Sequence, residues 1–240
     1  MSTTSPSPYK ALLFDVFGTV VDWRTSIIAE LTQFFGQRGI EKDWEQFALD
    51  WRALYQPAME RVRSGERGYV VLDTMHKENL MQLLPGYDLH DLSDDDIDHL
   101  NRVWHRLQPW ADTLPGMYRL RKQFMLGTLS NGNIALLVNM AKHSSIPWDA
   151  ILGSEPAQGY KPEHKVYLKS AAMFGLTPEQ CIMVAAHNED LEVAAGLGFA
   201  TAYINRPNEY GAAQNKNLKA EQEWTFVCDS MTELATQLGV

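Results

Sequence analysis

Short apolar runs alternate with longer stretches of helical periodicity along most of the chain. The first run, Lys10-Ala-Leu-Leu-Phe-Asp15, stops on a carboxylate and is followed by a tight turn, which predicts a buried strand. Similar runs predict further strands at 124–130, 181–185, 200–205 and 225–228. Strands separated by helical stretches are typical of a parallel sheet with helices on both faces. The predicted fold class is therefore α/β, with a doubly wound, Rossmann-like core.

A long helical block separates the first predicted strand from the others. One helix in this block carries several aromatic residues and reaches Pro57, which should kink or break it. Another helix should begin at Ser93, which is followed by three aspartates in the first turn. The pattern thus predicts a helical cap domain at 25–104. We expect it to be inserted into an α/β catalytic core formed by residues 8–24 and 105–240.

Composition restricts the classes of partner and compartment. The 240 residues can bury a sizeable core, and the two cysteines lie far apart without a CxxC pair, which argues against a structural zinc site or a disulfide framework. A reducing cytoplasm is the expected location. The net charge of −9, without a basic patch, argues against nucleic acid or an anionic membrane as partner. Residues 1–7 lack the features of a secretion signal and are expected to form a disordered tail.

Four polar clusters follow predicted strands or begin predicted helices. They are Asp15 to Thr19, Ser130-Asn131, Lys161-Pro162 and His187 to Asp190. Because the carboxyl ends of parallel strands lie at one edge of a sheet, residues far apart in sequence should converge there. The sequence therefore predicts one crevice that is lined by all four clusters.

In order and spacing, these clusters resemble the four motifs of the haloacid dehalogenase superfamily, over nearly the whole chain from about Tyr9 to Val240. Most members of that superfamily are phosphatases, and the metal-dependent ones carry a second Asp two residues after the nucleophile as general acid and base. Here that position is Phe17. An aromatic residue there, with Ser130-Asn131-Gly132 and Val20-Val-Asp-Trp23, is similar to the (S)-2-haloacid dehalogenases of type II.

This resemblance implies hydrolytic dehalogenation of short (S)-2-haloacids to 2-hydroxyacids, without a metal or an organic cofactor. Asp15 would displace halide from C2 and form an ester, which water then hydrolyses. Halide is a good leaving group and needs no proton, so an aromatic ring at position 17 is sufficient. The expected partner is a small-molecule 2-haloacid, and since related enzymes are often dimers, a homodimer is a further expectation.

The resemblance also implies a role for each site residue. Lys161 should pair with Asp15, keep it ionised and stabilise negative charge while the ester is hydrolysed. Asp190 matches the carboxylate that orients or deprotonates the hydrolytic water. The residues expected to bind the substrate or the halide are Phe17, Thr19, Arg52, Ser130 and Asn131.

The fourth motif departs from the commoner pattern of these enzymes. Ala185 and His187 stand where Ser and Asn are usual, so His187, Asn188 and Asp190 are open candidates for activating water. The altered pocket leads to the expectation that a small or poor leaving group such as fluoride is accepted, so that the substrates include fluoroacetate. Two other functions stay open: a magnesium-dependent phosphatase, against which Phe17 argues, and a non-catalytic binding module.

Overall fold

The computed structural model describes residues 8–240, except for the side chain of Ala213, so the predicted tail at 1–7 lies outside the described residues. The strands are β1 Ala11–Phe14, β2 Val21–Asp22, β3 Gln108–Pro109, β4 Met125–Thr128, β5 Cys181–Ala185, β6 Ala200–Ile204 and β7 Phe226–Cys228. The α-helices are α1 Trp23–Gly36, α2 Trp44–Ala53, α3 Tyr55–Arg63, α4 Leu72–Leu83, α5 Asp94–Asn101, α6 Thr113–Leu120, α7 Ile134–Ser144, α8 Ser154–Ala157, α9 His164–Met173, α10 Asn188–Gly196 and α11 Met231–Gln237. Within residues 8–240, none of the helices has the length and hydropathy needed to cross a membrane.

Five strands form a parallel sheet in the order β4-β1-β5-β6-β7. Strand β1 lies between β4 and β5, with Phe14 opposite Thr128 on one side and Val184 on the other. The residues that follow these three strands therefore emerge side by side at the carboxyl edge of the sheet, which is where open α/β sheets bind ligands. The predicted parallel α/β sheet is confirmed.

Apolar side chains cover both faces of the sheet. Along β1, Leu12 and Phe14 belong to one buried cluster, whereas Ala11 and Leu13 belong to another, because successive side chains of a strand point to opposite faces. The first cluster includes residues of α6, α7 and α11, and the second includes residues of α9 and α10. Burial on both faces explains why these strands are continuous apolar runs rather than alternating ones.

Five helices, α1 to α5, lie between β2 and β3. These two short strands pair in antiparallel fashion, with Val21 opposite Pro109, so the chain leaves and re-enters the sheet region at neighbouring points. The predicted break occurs at Leu54, between α2 and α3, and Pro57 lies in the first turn of α3, where a missing N–H costs no helical hydrogen bond. The helical character of this insert agrees with the sequence pattern. Its assignment as a cap domain bounded at 25–104 stays a prediction.

Two capping sequences, of which the first is the predicted helix start at Ser93, have different outcomes. Ser93 begins α5 through a capping box, since its Oγ accepts from the Asp96 N–H and the Asp96 carboxylate accepts from the Ser93 N–H. Gln180 Oε1 likewise accepts from the Thr177 N–H, yet the turn at Pro178–Gln180 is a single 3₁₀ turn because β5 begins directly after it. A capping signal thus determines where a turn begins, but tertiary pairing determines whether a helix continues.

Candidate active site

A cavity of about 740 Å³ opens at the carboxyl edge of the sheet, between the strand ends and helices α2 and α3. Of the ten predicted site residues, seven line it: Asp15, Phe17, Arg52, Asn131, Lys161, His187 and Asp190. The other three, Thr19, Ser130 and Asn188, do not. The cavity is therefore lined by residues from all four predicted clusters, although not by every predicted residue.

Asp15 directly follows β1, and both of its carboxylate oxygens are held. Oδ1 accepts a hydrogen bond from Lys161 Nζ at 2.8 Å, while Oδ2 accepts one from Thr19 Oγ1 at 2.8 Å and lies 3.2 Å from His187 Nδ1. The residue is 6% exposed. Burial disfavours the charged form, but Lys161 and His187 outweigh burial and hold the pKa of Asp15 far below its ordinary value. Asp15 is therefore ionised at neutral pH.

Lys161 bridges two buried carboxylates. Its Nζ donates to Asp15 and also to Asp190 Oδ2, and the other oxygen of Asp190 accepts from the Tyr167 hydroxyl. Burial opposes the charge of Lys161, but the two carboxylates raise its pKa above the ordinary value. Burial, opposed by Lys161 and reinforced by the charge of Asp15, raises the pKa of Asp190. The site thus holds one carboxylate that stays ionised and a second that is more basic, an arrangement that can supply a nucleophile and a base.

His187 lies between two carboxylates. Its Nδ1 is 3.2 Å from Asp15 Oδ2, and its Nε2 is 2.9 Å from Glu209 Oε2. Glu209 is 1% exposed and also accepts from the Trp23 indole N–H at 3.0 Å. Burial lowers the pKa of His187, but Glu209 and Asp15 raise it well above 6.5. A protonated imidazole carries a hydrogen on both nitrogens and has no free lone pair, so His187 does not serve as a base in this state.

Arg52 in α2 carries a buried positive charge into the cavity. Its guanidinium carbon lies 4.0 Å from the ring centre of Tyr55 and 5.5 Å from that of Trp23, and its Nη1 is buried without a hydrogen-bond partner among the described residues. Burial opposes ionisation, but Tyr210, Tyr55 and Glu209 raise the pKa of Arg52, so it stays charged. A buried cation with an unused N–H is suited to binding an anion.

Asn131 provides a further donor at the cavity wall. Its Oδ1 accepts from Ser154 Oγ and from the Lys161 N–H, both at 2.9 Å, which orients the amide. The amide nitrogen has no hydrogen-bond partner within residues 8–240, and the residue lines the cavity. Ser130 is fully buried behind it, where its Oγ accepts from the Gly132 N–H at 3.1 Å. Ser130 therefore shapes the turn after β4 and does not face the cavity.

Thr19 and Phe17 belong to the turn that follows Asp15. Thr19 Oγ1 donates to Asp15 Oδ2 and accepts from the Ala186 N–H at 2.8 Å, so it ties the end of β1 to the end of β5. Thr19 is fully buried. Its hydroxyl contacts the Asp15 carboxylate, and the residue does not line the cavity. Phe17 is 2% exposed, lines the cavity and packs edge-on against Trp104, with ring centres 5.8 Å apart.

The structure does not bring Asn188 to the cavity. Its Nδ2 donates to Asn217 Oδ1 and to the Lys219 carbonyl, and its Oδ1 accepts from the Glu221 N–H and the Trp224 indole N–H. An amide side chain has two donor and two acceptor positions, and all four are used here. This amide therefore holds the 217–224 segment in place, and the contacts of Asn188 do not favour it over Asp190 as the group that activates water.

Two residues that the sequence analysis does not predict complete the site. Tyr167 in α9 donates to Asp190, and Glu209 in the segment after β6 contacts His187. The signal for Glu209 is its position, because a carboxylate shortly after a strand of the same parallel sheet lies at the same edge. Tyr167 has no comparable signal, since a tyrosine in a helix most often belongs to the core. Within residues 8–240, no group of three or more His, Cys, Asp or Glu side chains is arranged to hold a metal ion.

Comparisons with known proteins identify the family. The sequence model of the haloacid dehalogenase-like hydrolases matches residues 9–198. The chain belongs to this family. It is 27% identical to the (S)-2-haloacid dehalogenase of Pseudomonas putida, over 95% of this chain and 96% of that enzyme, and 26% identical to the (S)-2-haloacid dehalogenase of Pseudomonas fluorescens, over 94% and 95%.

Two crystal structures are similar to this haloacid dehalogenase-like hydrolase over almost its whole length. The defluorinating L-2-haloacid dehalogenase Rha0230 is 42% identical, with a TM-score of 0.94 over 97% of this chain and 96% of that chain. The L-2-haloacid dehalogenase PA0810 is 40% identical, with a TM-score of 0.93 over 96% and 98%. The resemblance predicted from the four sequence motifs is confirmed.

Proposed function

We propose that the protein hydrolyses short (S)-2-haloacids to 2-hydroxyacids through an ester of Asp15. The observation that carries this proposal is the pairing, in one cavity, of the ionised Asp15 with the buried Arg52, whose Nη1 has no partner among the described residues. A displacement at carbon needs a charged nucleophile and a place for the departing anion. Two relatives of 40% and 42% identity that are named L-2-haloacid dehalogenases support the same reaction.

In the first half-reaction, a carboxylate oxygen of Asp15 attacks C2 while the carbon–halogen bond breaks and the halide leaves with the bonding electrons. Lys161 keeps the nucleophile ionised beforehand. The departing halide is received by Arg52 and by the amide nitrogen of Asn131, both of which line the cavity. Phe17 provides an apolar wall, and no proton donor is needed because halide is a stable anion.

In the second half-reaction, water adds to Asp15 Cγ and transfers its proton to Asp190. Of the three candidates that the sequence leaves open, Asp190 fits the role of base, because its pKa is raised and its carboxylate lies next to Lys161 and Asp15. His187 lies between Glu209 and Asp15, which raise its pKa and favour the protonated form that cannot accept a proton, and Asn188 is engaged with the 217–224 segment. Collapse of the adduct releases the 2-hydroxyacid, whose new hydroxyl takes the proton from Asp190. The second proton of the water passes to solvent, so Asp15 is regenerated as a carboxylate with one oxygen from solvent.

The proposal includes fluoroacetate as a substrate. Fluoride is a small anion with a concentrated charge, so its departure needs more stabilisation than that of chloride, and a charged guanidinium is a strong donor for it. The altered fourth motif and the similarity to a dehalogenase described as defluorinating support this extension.

A magnesium-dependent phosphatase of the same family is the alternative. Release of an alcohol from a phosphate ester needs a proton donor, and Phe17 occupies the position where such phosphatases carry the acid and base Asp. Phe17 therefore argues against phosphoryl transfer.

A direct assay separates these functions. We expect the purified protein to release halide and 2-hydroxyacid in equal amounts from chloroacetate, (S)-2-chloropropionate and fluoroacetate, with no change on addition of EDTA. With p-nitrophenyl phosphate we expect no phosphate release. Metal-dependent phosphate release without halide release would select the phosphatase, and inactivity in every assay would favour the binding module.

Replacing Arg52 by Met should lower kcat/KM for (S)-2-chloropropionate by about 10²-fold to 10³-fold, as when one preorganised donor to a developing anion is removed. Met keeps much of the apolar contact with Tyr55 but removes the charge and the unused Nη1–H. Arg61→Met is the matched control, because Arg61 is exposed in the next helix and pairs with Glu66. An unchanged kcat/KM in Arg52→Met would contradict the assignment of the anion site.

A further inference from the structure

We propose that Glu209 is a positioning residue for hydrolysis of the ester, which it serves by holding His187 so that His187 and Thr19 form the oxyanion site around Asp15 Oδ2. This inference rests on the proposed Asp15 ester. It adds a residue outside the four sequence motifs, and it assigns a separate task to each oxygen of Asp15.

The two oxygens of Asp15 have unequal numbers of donors. Oδ2 accepts from Thr19 Oγ1 at 2.8 Å and lies 3.2 Å from His187 Nδ1, whereas Oδ1 accepts from Lys161 Nζ alone among the described residues. A carboxylate oxygen has about two lone pairs for hydrogen bonds. Two donor groups, the Thr19 hydroxyl and the His187 imidazole, face Oδ2, whereas one faces Oδ1. Oδ1 is therefore the oxygen that attacks C2, and Oδ2 becomes the carbonyl oxygen of the ester.

Hydrolysis then places negative charge on Oδ2. The water oxygen bonds to Cγ, its proton passes to Asp190, and the electron pair of the Cγ–Oδ2 π bond moves onto Oδ2. When the double bond forms again, the Cγ–Oδ1 bond breaks, and Oδ1 leaves with the product and takes the proton from Asp190. The second proton of the attacking water passes to solvent, which leaves Asp15 as a carboxylate. The donors already aimed at Oδ2, the Thr19 hydroxyl and His187 Nδ1–H, are in place to bind the oxyanion.

His187 needs a second carboxylate to keep this role after the ester has formed. Esterification removes the charge of Asp15, so one of the two carboxylates that contact the imidazole is lost. Glu209 stays 2.9 Å from Nε2, where it orients the ring and favours its protonated form. Nδ1 thus still carries a hydrogen at the step in which Oδ2 becomes negative.

The turn after Asp15 is built to admit this carboxylate. Gly18 has φ +89°, and a Cβ at this position would lie 2.1 Å from Glu209 Oε1. The same Oε1 accepts from the Trp23 indole N–H. Glu209 therefore lies against the turn after β1 and is hydrogen-bonded to α1. A buried carboxylate is costly unless it is paired, and Glu209 is 1% exposed with His187 as its ion-pair partner. Glu209 is therefore a buried charge that its partners hold in a fixed position, and not a surface residue.

Glu209→Gln tests the inference, because Gln keeps the size of the side chain and removes its charge. In a rapid-quench experiment with chloroacetate, the variant should release one halide per active site at close to the wild-type rate. Turnover after this burst should then be on the order of 10²-fold slower, the size of effect seen when an oxyanion donor is lost. Mass spectrometry of the intact protein should detect the accumulated ester. Glu223→Gln, an exposed charge in the same segment, should change neither phase.

A double variant separates positioning from a general structural effect. Because Glu209 acts through His187, the pair His187→Gln and Glu209→Gln should be no slower in the hydrolysis phase than His187→Gln alone. Additive losses, or equal slowing of the burst and of turnover in a folded Glu209→Gln protein, would overturn the inference and leave the Asp15 ester standing. If the wild-type protein released no halide from any 2-haloacid, the proposed function would fall, and the role of Glu209 with it.

Discussion

Asp15→Asn should abolish halide release, with kcat reduced by at least about 10⁴-fold, because loss of a covalent nucleophile removes the whole reaction path. An amide is neutral and a far weaker nucleophile than the ionised carboxylate held by Lys161. The variant should still fold, since Lys161 retains Asp190 as its ion-pair partner. Halide release by ion chromatography and circular dichroism of the same samples measure the two effects.

The control for this variant is Asp91→Asn, which makes the same chemical change at an exposed position and should keep full activity. A single turnover of the wild-type protein in oxygen-18 water adds an independent measurement. We expect the isotope in the Asp15 carboxylate and not in the first molecule of product, because water attacks Cγ of the ester. Isotope in the product alone would indicate direct attack of water on C2 and would contradict a covalent intermediate.

The strand-end residues of the site are the part that sequence reasoning predicts well. Asp15 and His187 follow apolar runs, and the parallel pairing of β1 with β5 then brings these two runs to one edge of the sheet. Lys161 follows no such strand, and although its cluster is predicted to reach the same crevice, its pairing with Asp15 is an expectation from the family resemblance. The homodimer and the cap boundaries have no signal of this strength and stay predictions.

Asn188 shows why the remainder of the site is harder to predict. It stands two residues before Asp190 at the start of α10, and two helical steps turn a side chain by roughly 200°. The two side chains therefore face nearly opposite directions, so both could not reach the cavity. The sequence alone does not determine which of them does. Glu209 is a different case, since it lies outside the four motifs. Its position shortly after β6 indicates the edge of the sheet, but its contact with His187 depends on the path of the chain after β6.

Lys161→Met should both inactivate the protein and destabilise it. Without the ammonium group, Asp15 and Asp190 are two buried carboxylates that have lost their shared cation. Breaking a buried ion pair from one side costs about 3–5 kcal/mol. We expect the free energy of unfolding at pH 7, measured with urea, to fall by about this amount. Turnover should fall by about 10³-fold, because Asp15 loses the donor at Oδ1 and the positive charge that keeps it ionised.

The destabilisation should depend on pH, and its direction follows from the two carboxylates. In the wild-type protein, Lys161 and His187 lower the pKa of Asp15 despite burial. The ionised Asp15 therefore stabilises the folded state at pH values above the pKa that Asp15 has in the unfolded chain. This contribution is lost as pH falls through the pKa of Asp15 in the folded protein. In Lys161→Met, Asp15 keeps His187 as a partner, but the pKa of Asp190, already raised by burial, should rise further.

A carboxyl group with a raised folded pKa binds a proton more tightly in the folded state, so the Lys161→Met variant should gain stability as pH falls from neutrality through the folded pKa of Asp190. The difference in unfolding free energy between wild type and variant should therefore be largest at pH 7 and smaller at about pH 5. Lys169→Met, an exposed lysine of α9, should show a small difference that is constant with pH. A large loss in Lys161→Met that is the same at both pH values would mean that packing of the lysine stem, and not its charge between two carboxylates, stabilises this edge of the sheet.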